Sequence, residues 1–191
     1  MNGYWAKGPG YELFEDCKKE LSKIEIIAED LGIINDDVRE LKKEWGFPGL
    51  KLYQFAFEDY KYSSEDKKYE ELVNPYLPHN YEENCVAYIG THDNDIESNF
   101  IEEHPELHNA MLDYLKIGNV ADINDTLIGS LMRSKANVVI FMPQDILHLG
   151  KESRINIPGS AFGNWKFRFK KGTFTKELQL HLRQMVNEAN R

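Results

Sequence analysis

The residues best suited to chemistry are acids that follow apolar runs. Residues 24–28 (I-E-I-I-A) lead directly into Glu29-Asp30, and Gly32 then opens a turn. A mostly apolar run of that length predicts a strand buried on both faces, as in a parallel sheet. Reactive groups of parallel α/β folds gather where strands end, which makes Glu29 the first candidate. The same pair could instead solvate a strand end or cap the next helix. Three more stretches repeat the design. Residues 49–57 (G-L-K-L-Y-Q-F-A-F) form one; 85–90 (C-V-A-Y-I-G) run into Thr91-His92-Asp93-Asn94-Asp95; 137–142 (N-V-V-I-F-M) run into Pro143-Gln144-Asp145.

Acids at several strand ends suit acetal chemistry. Glycosyl transfer needs a carboxylic acid to protonate the leaving oxygen and a carboxylate facing the sugar carbon. Glu29 can serve as the acid if burial and neighbouring carboxylates raise its pKa. His92 and Asp93 can hold ring hydroxyls and stabilise positive charge on the sugar. His and Asp also ligate zinc or manganese, but no second histidine stands at metal spacing beside His92. No metal or other cofactor is expected, and no acidic loop has calcium-type spacing.

These residues need elements to position them. Residues 1–10 are loop-like, and 11–21 carry Leu13, Phe14, Cys17 and Leu21 on one helical face. Asn35 is a candidate cap for a helix that runs to Trp45 and stops at Gly46 and Pro48. A charged loop is expected at 58–71, and two prolines make 74–80 irregular. Helices are expected from near Pro105, from near Asn124 and over 175–191. Strands alternating with helices four times read as βα units around a parallel sheet, in a single domain over 1–191.

Composition excludes some partners. The chain has 191 residues, 41% of them hydrophobic, and a net charge of −9. With no basic cluster, neither nucleic acid nor an anionic membrane is an expected partner. No apolar run approaches the roughly 20 residues of a membrane span. Cys17 and Cys85 have no metal spacing and suit a reduced, cytoplasmic protein.

Taken in order, Trp5-Ala6-Lys7-Gly8-Pro9-Gly10, 27–32 (I-A-E-D-L-G), 74–80 (N-P-Y-L-P-H-N), Thr91-His92-Asp93-Asn94-Asp95 and Pro143-Gln144-Asp145 resemble the 4-α-glucanotransferases. These are the amylomaltases of the α-amylase superfamily. Arg154-Ile155-Asn156, Pro158-Gly159 and Gly163-Asn164-Trp165 complete the match, with Ser160 and Phe167 as small departures. The resemblance implies part of a (β/α)₈ TIM barrel, its C-terminal half, with the four strands as the fifth to eighth. It implies Glu29 as general acid/base, Asp93 as the carboxylate that stabilises the transition state, and His92 as its sugar-contacting neighbour. Phe55, Asp59 and Asn156 fall on or near positions that line the glucan cleft; Phe55 could also be a core residue. The implied substrate is a maltooligosaccharide or longer α-1,4-glucan.

The family nucleophile is an aspartate on the fourth strand, and none of Asp16, Asp30, Asp36 or Asp37 matches it. The expectation is therefore a half-barrel that is inactive alone; the alternative is a non-catalytic glucan-binding or inert half. An open sheet of this kind has unpaired edges and an uncovered apolar face, so a homo-oligomer is expected through that face.

Overall fold

A computed structural model of the chain describes residues 3–4, 6–32, 34–58 and 74–191. Asp59 and Trp5 lie outside them. The chain divides into two compact units, Met1–Leu50 and Lys51–Arg191, and each is described by itself.

In the first unit, helix α1 (Tyr11–Leu21) is followed by α2 (Asp36–Glu44). The expected cap is in place: the Asn35 side chain accepts the Val38 N–H at 3.0 Å, one of the amide donors a helix start leaves unpaired. Phe14 meets Trp45 and Phe47 with ring centroids 5.5 and 5.3 Å apart, so the apolar side of α1 packs on the chain that leaves α2.

The strand expected over 24–28 does not form. A single parallel bridge joins Ala28 to Gly49, and Ile24 and Ile27 are 62% and 49% exposed. The run was expected to be buried on both faces. With only one ladder contact, Ile24 and Ile27 remain in solvent and Ile26 is half-buried.

The second unit carries most of the sheet, whose order is β1 (Gly49–Leu52), β2 (Cys85–Tyr88), β3 (Val138–Ile140). Strands β2 and β3 pair in parallel, Val86 opposite Val138 and Tyr88 opposite Ile140. A parallel return needs a long crossover. Helices α4 (Glu97–Glu103), α5 (His108–Leu115) and α6 (Ile123–Met132) lie in this one. The expected second strand is shorter than its apolar run: the chain turns at Tyr53 and Gln54, and Phe55–Glu58 is a short helix, α3. After β3 come the short α7 (Pro143–Ile146) and the closing α8 (Lys176–Glu188), capped by Thr175.

Strand alternation sorts the side chains. Cys85, Ala87 and Ile89, with Val139 and Phe141, face a core of Phe100, Met111, Ile123, Leu127 and Leu131. The opposite face holds Val86, Val138 and Ile140; the last two are 43% and 37% exposed. Among the described residues no helix is long and apolar enough to cross a membrane.

Candidate active site

The Asp93 turn is folded largely by its own side chains. Asn94 Oδ1 accepts from the Thr91 N–H and the Thr91 hydroxyl, both at 3.0 Å. Thr91 Oγ1 in turn accepts the Asp93 N–H at 3.4 Å. Such local bonds make Thr, Asn and Asp turn formers. The chain can fold this tightly because position 90 is glycine. A Cβ there would come within 2.9 Å of both Asn94 Cβ and Gln54 Oε1.

A distant segment then locks the turn. Arg154 donates through Nη2 to the Asp93 carbonyl at 3.0 Å and through Nε to the Asn156 carbonyl at 3.0 Å. It also pairs with the Asp95 carboxylate at 3.3 Å. Asn156 Nδ2 donates to Asp93 Oδ1 at 2.5 Å, and His92 Nε2 stands 3.4 Å from the same oxygen. The His92 ring lies 5.2 Å from that of Trp165. Trp165 is held in a left-handed conformation, φ 62°, and its backbone N–H donates to the Ile155 carbonyl. The side chain of Asn164 ties this loop down by accepting from Ile157 N–H at 3.0 Å and donating to the Ser160 carbonyl at 3.1 Å.

His92 and Asp93 thus share an oriented, half-exposed surface, with Asn156 and Trp165 against them. A carboxylate so placed can face a developing positive charge, and the indole offers a flat apolar wall for a sugar ring.

Beneath the turn is a buried polar layer that sequence reasoning missed. Gln54 Nε2 donates to the Asp95 carbonyl at 3.0 Å and to Glu97 Oε2 at 3.1 Å. The Glu97 N–H donates to Asp145 Oδ1 at 2.9 Å, and Asn124 donates to the Asp145 carbonyl at 3.0 Å. Burial pushes the Glu97 carboxyl up to about 8, the Gln54 bond opposing and the Asp145 charge adding. Burial likewise pushes Asp145 up to about 6, against the pull of the Glu97 N–H and of His148. The available signal for Glu97 was its helical register. It falls on the same side of α4 as Phe100 and Ile101, where a carboxylate is out of place.

The first unit separates Glu29 from Asp30. Asp30 pairs with Lys42 at 2.7 Å and accepts the Leu50 N–H at 2.7 Å. Its carboxylate lies where a Cβ at position 49 would stand, and Gly49 makes room for it. Asp30 is therefore a tether between α2 and β1. Glu29 is exposed and bonds to no other described side chain. Phe55 opens α3, half-buried, edge-on to Tyr76 at 5.5 Å and 86°. Among the described residues no group of three or more His, Cys, Asp or Glu could hold a metal ion.

Comparison with known proteins adds the rest. The model of one family, the 4-alpha-glucanotransferases, matches residues 1–175. The chain is 44% identical over 180 residues to the 4-alpha-glucanotransferase of Clostridium butyricum, covering 93% of this chain and 35% of that protein. It is 41% identical over 181 residues to 4-alpha-glucanotransferase DPE1, chloroplastic/amyloplastic, of Arabidopsis thaliana, covering 94% of this chain and 29% of that one. Among solved structures, the amylomaltase from Streptococcus agalactiae in complex with acarbose superposes with a TM-score of 0.86 at 33% identity, covering 99% of this chain and 36% of that one. The chain thus spans about a third of the length of the relatives it matches. Matched by the family model over residues 1–175 and by a relative 44% identical over 93% of its length, the chain belongs to the 4-alpha-glucanotransferase family.

Proposed function

We propose that this chain carries part of the active site of an enzyme that moves α-1,4-glucan segments between maltooligosaccharides with retention of configuration. Residues 24–28, β1, β2 and β3 then correspond to the fifth to eighth strands of a (β/α)₈ barrel. Glu29, as general acid, protonates the glycosidic oxygen of the leaving chain. The anomeric carbon passes to a carboxylate nucleophile that none of the assigned residues supplies, giving a covalent glycosyl-enzyme. Glu29 then takes a proton from the acceptor's 4-hydroxyl as that oxygen displaces the carboxylate from the anomeric carbon. Asp93 opposes the positive charge of the oxocarbenium-like transition state, while His92, Asn156, Phe55 and Asp59 contact the glucan.

The observation that carries this reading is the Asp93 carboxylate. It is half-exposed and fixed by Asn156 at 2.5 Å, with His92 at 3.4 Å beside it. Family membership and the acarbose bound by the Streptococcus neighbour support the substrate class. A homo-oligomer through the open sheet face belongs to the same reading, and the partial exposure of Val138 and Ile140 on β3 supports it, while Val86 on the same face is buried.

The test is a chimera in which these 191 residues replace the matched segment of the Clostridium butyricum enzyme. It should disproportionate maltotriose into glucose and longer chains. Glu29→Gln keeps the shape and removes the proton donor, and should lower turnover by roughly 10²–10⁴-fold while maltooligosaccharide binding persists. Wild-type turnover in Glu29→Gln would overturn the assignment. A folded chimera that binds maltooligosaccharide without transferring it would make this segment a glucan-binding module.

A further inference from the structure

A second site lies in unit 2, formed by residues that take no part in the Asp93 cluster. His79, Tyr114, Lys116, Thr126, Ser130 and Arg133 line a cavity of about 370 Å³, within the range of about 300–1,000 Å³ usual for small-molecule sites.

Two cations line it, and neither is neutralised by an ion pair within the described residues, as holds for most lysines and arginines of this chain. Lys18, Lys23, Arg39, Lys42 and Arg154 all pair with carboxylates. Lys116 and Arg133 pair with none among the described residues, although the chain has a net charge of −9. Among the described residues no carboxylate lines the cavity.

Local structure is arranged to bring both cations there. Lys116 ends α5 in a left-handed conformation, φ 58° and ψ 45°, a common helix stop in which the Ile117 N–H donates back to the Leu112 carbonyl at 3.1 Å. Gly129 lies inside α6, where glycine is unfavourable. A Cβ at 129 would stand 3.0 Å from Arg133 Nη1, so the missing side chain lets the guanidinium fold back along the helix. Thr126, Ser130 and Arg133 then share one face of α6 at i, i+4 and i+7. Neither hydroxyl bonds to another described side chain. Across the cavity His79 Nδ1 and the Tyr114 hydroxyl are 2.9 Å apart, with the two rings stacked at 30°.

Both cations also stand at helix C-termini, where carbonyl ends favour positive charge. That accounts for a Lys or an Arg at each position. It does not account for a glycine beneath Arg133.

A guanidinium fork, an ammonium and two hydroxyls suit a phosphate, which an Arg binds bidentately and a Lys as a point charge. The Tyr114–His79 wall suits the face of a small ring. We propose that this cavity binds a phosphate monoester of a monosaccharide, with the phosphate on Lys116 and Arg133 and the sugar against Tyr114.

The experiment is a calorimetric titration of the 191-residue chain with glucose 1-phosphate, glucose and inorganic phosphate, with amide shifts followed at residues 114–116 and 126–133. Glucose 1-phosphate should bind saturably and shift those amides. Glucose should bind at least about tenfold more weakly, since it lacks the charge-assisted bonds. Arg133→Gln and Lys116→Gln should each weaken binding about tenfold. Gly129→Ala separates site from fold: it should raise the melting temperature by improving the helix and weaken binding by displacing the guanidinium. The proposal is overturned if neither phosphate compound binds saturably, if the shifts map elsewhere, if glucose binds as tightly as its phosphate, or if K116Q/R133Q binds unchanged.

Discussion

The side-chain amide of Asn156 donates to the Asp93 carboxylate across 2.5 Å, joining residues 63 apart in the chain. The bond fixes which carboxylate oxygen stays available to a ligand, and Arg154 holds the backbone beneath it. Preorganisation of this kind matters most when the opposing charge appears only in the transition state.

In the maltotriose-active chimera, Asp93→Asn should lower kcat by about 10²–10³-fold and leave KM nearly unchanged. Asn156→Ala keeps the carboxylate and loosens it; the loss of one charge-assisted bond should lower kcat by about tenfold. Steady-state rates of glucose release measure both. A change in KM alone would make Asp93 a binding residue.

Gly49→Ala probes the Asp30 tether. The added methyl falls on the Asp30 carboxylate, which pairs with Lys42 and holds the Leu50 N–H. The carboxylate must move, so both interactions weaken, at about 1–3 kcal/mol for a partly buried charged group. Thermal denaturation should shift downward, and hydrogen exchange at the Leu50 amide should quicken. Unchanged exchange at Leu50 would show that the tether survives the methyl.

Much of the Asp93 turn is legible in T-H-D-N-D, because Thr91 and Asn94 bond within four residues and local chemistry specifies them. The cap at Asn35 is legible for the same reason. Three features escape. The apolar run 24–28 promises a buried strand, yet burial depends on what packs against it, and Ile24 and Ile27 stay exposed. The Y-Q-F-A-F continuation of β1 promises more strand, but the backbone turns at Gln54, whose amide serves Asp95 and Glu97. Asp30 and Glu97 look like ordinary surface acids, since such residues are rarely buried. Their partners lie 12 to 48 residues away, beyond any local pattern.

The exposed side chains of β3 make a prediction about assembly. Val138 and Ile140 point from β3 into solvent on one side of the sheet, and an exposed apolar face favours self-association. Sedimentation velocity on the 191-residue chain should show a concentration-dependent dimer. Val138→Lys with Ile140→Lys should return it to monomer without loss of helicity. A monomer at every accessible concentration would refute the association.

Glu97 couples stability to pH. Its carboxyl titrates near 8 in the folded chain against an ordinary value of 4.5, chiefly because burial penalises the charge. Below about pH 4.5 both states are protonated and its contribution is fully present. Between 4.5 and 8 the unfolded chain has released this proton while the folded chain retains it, so rising pH favours unfolding. The slope for one such group is about 1.4 kcal/mol per pH unit, and it ends once pH passes through the folded value. Asp145 adds a second, lower window, from its ordinary 3.8 to about 6. Glu97→Gln keeps an acceptor for Gln54 and removes the ionisation. Relative to this variant, the wild-type chain should lose melting temperature steadily from pH 5 to pH 8 and then hold a constant difference. Thermal melts of both proteins across that range are the measurement. Parallel curves would mean that Glu97 carries no retained proton, and that the layer beneath Asp93 holds its charge by other means.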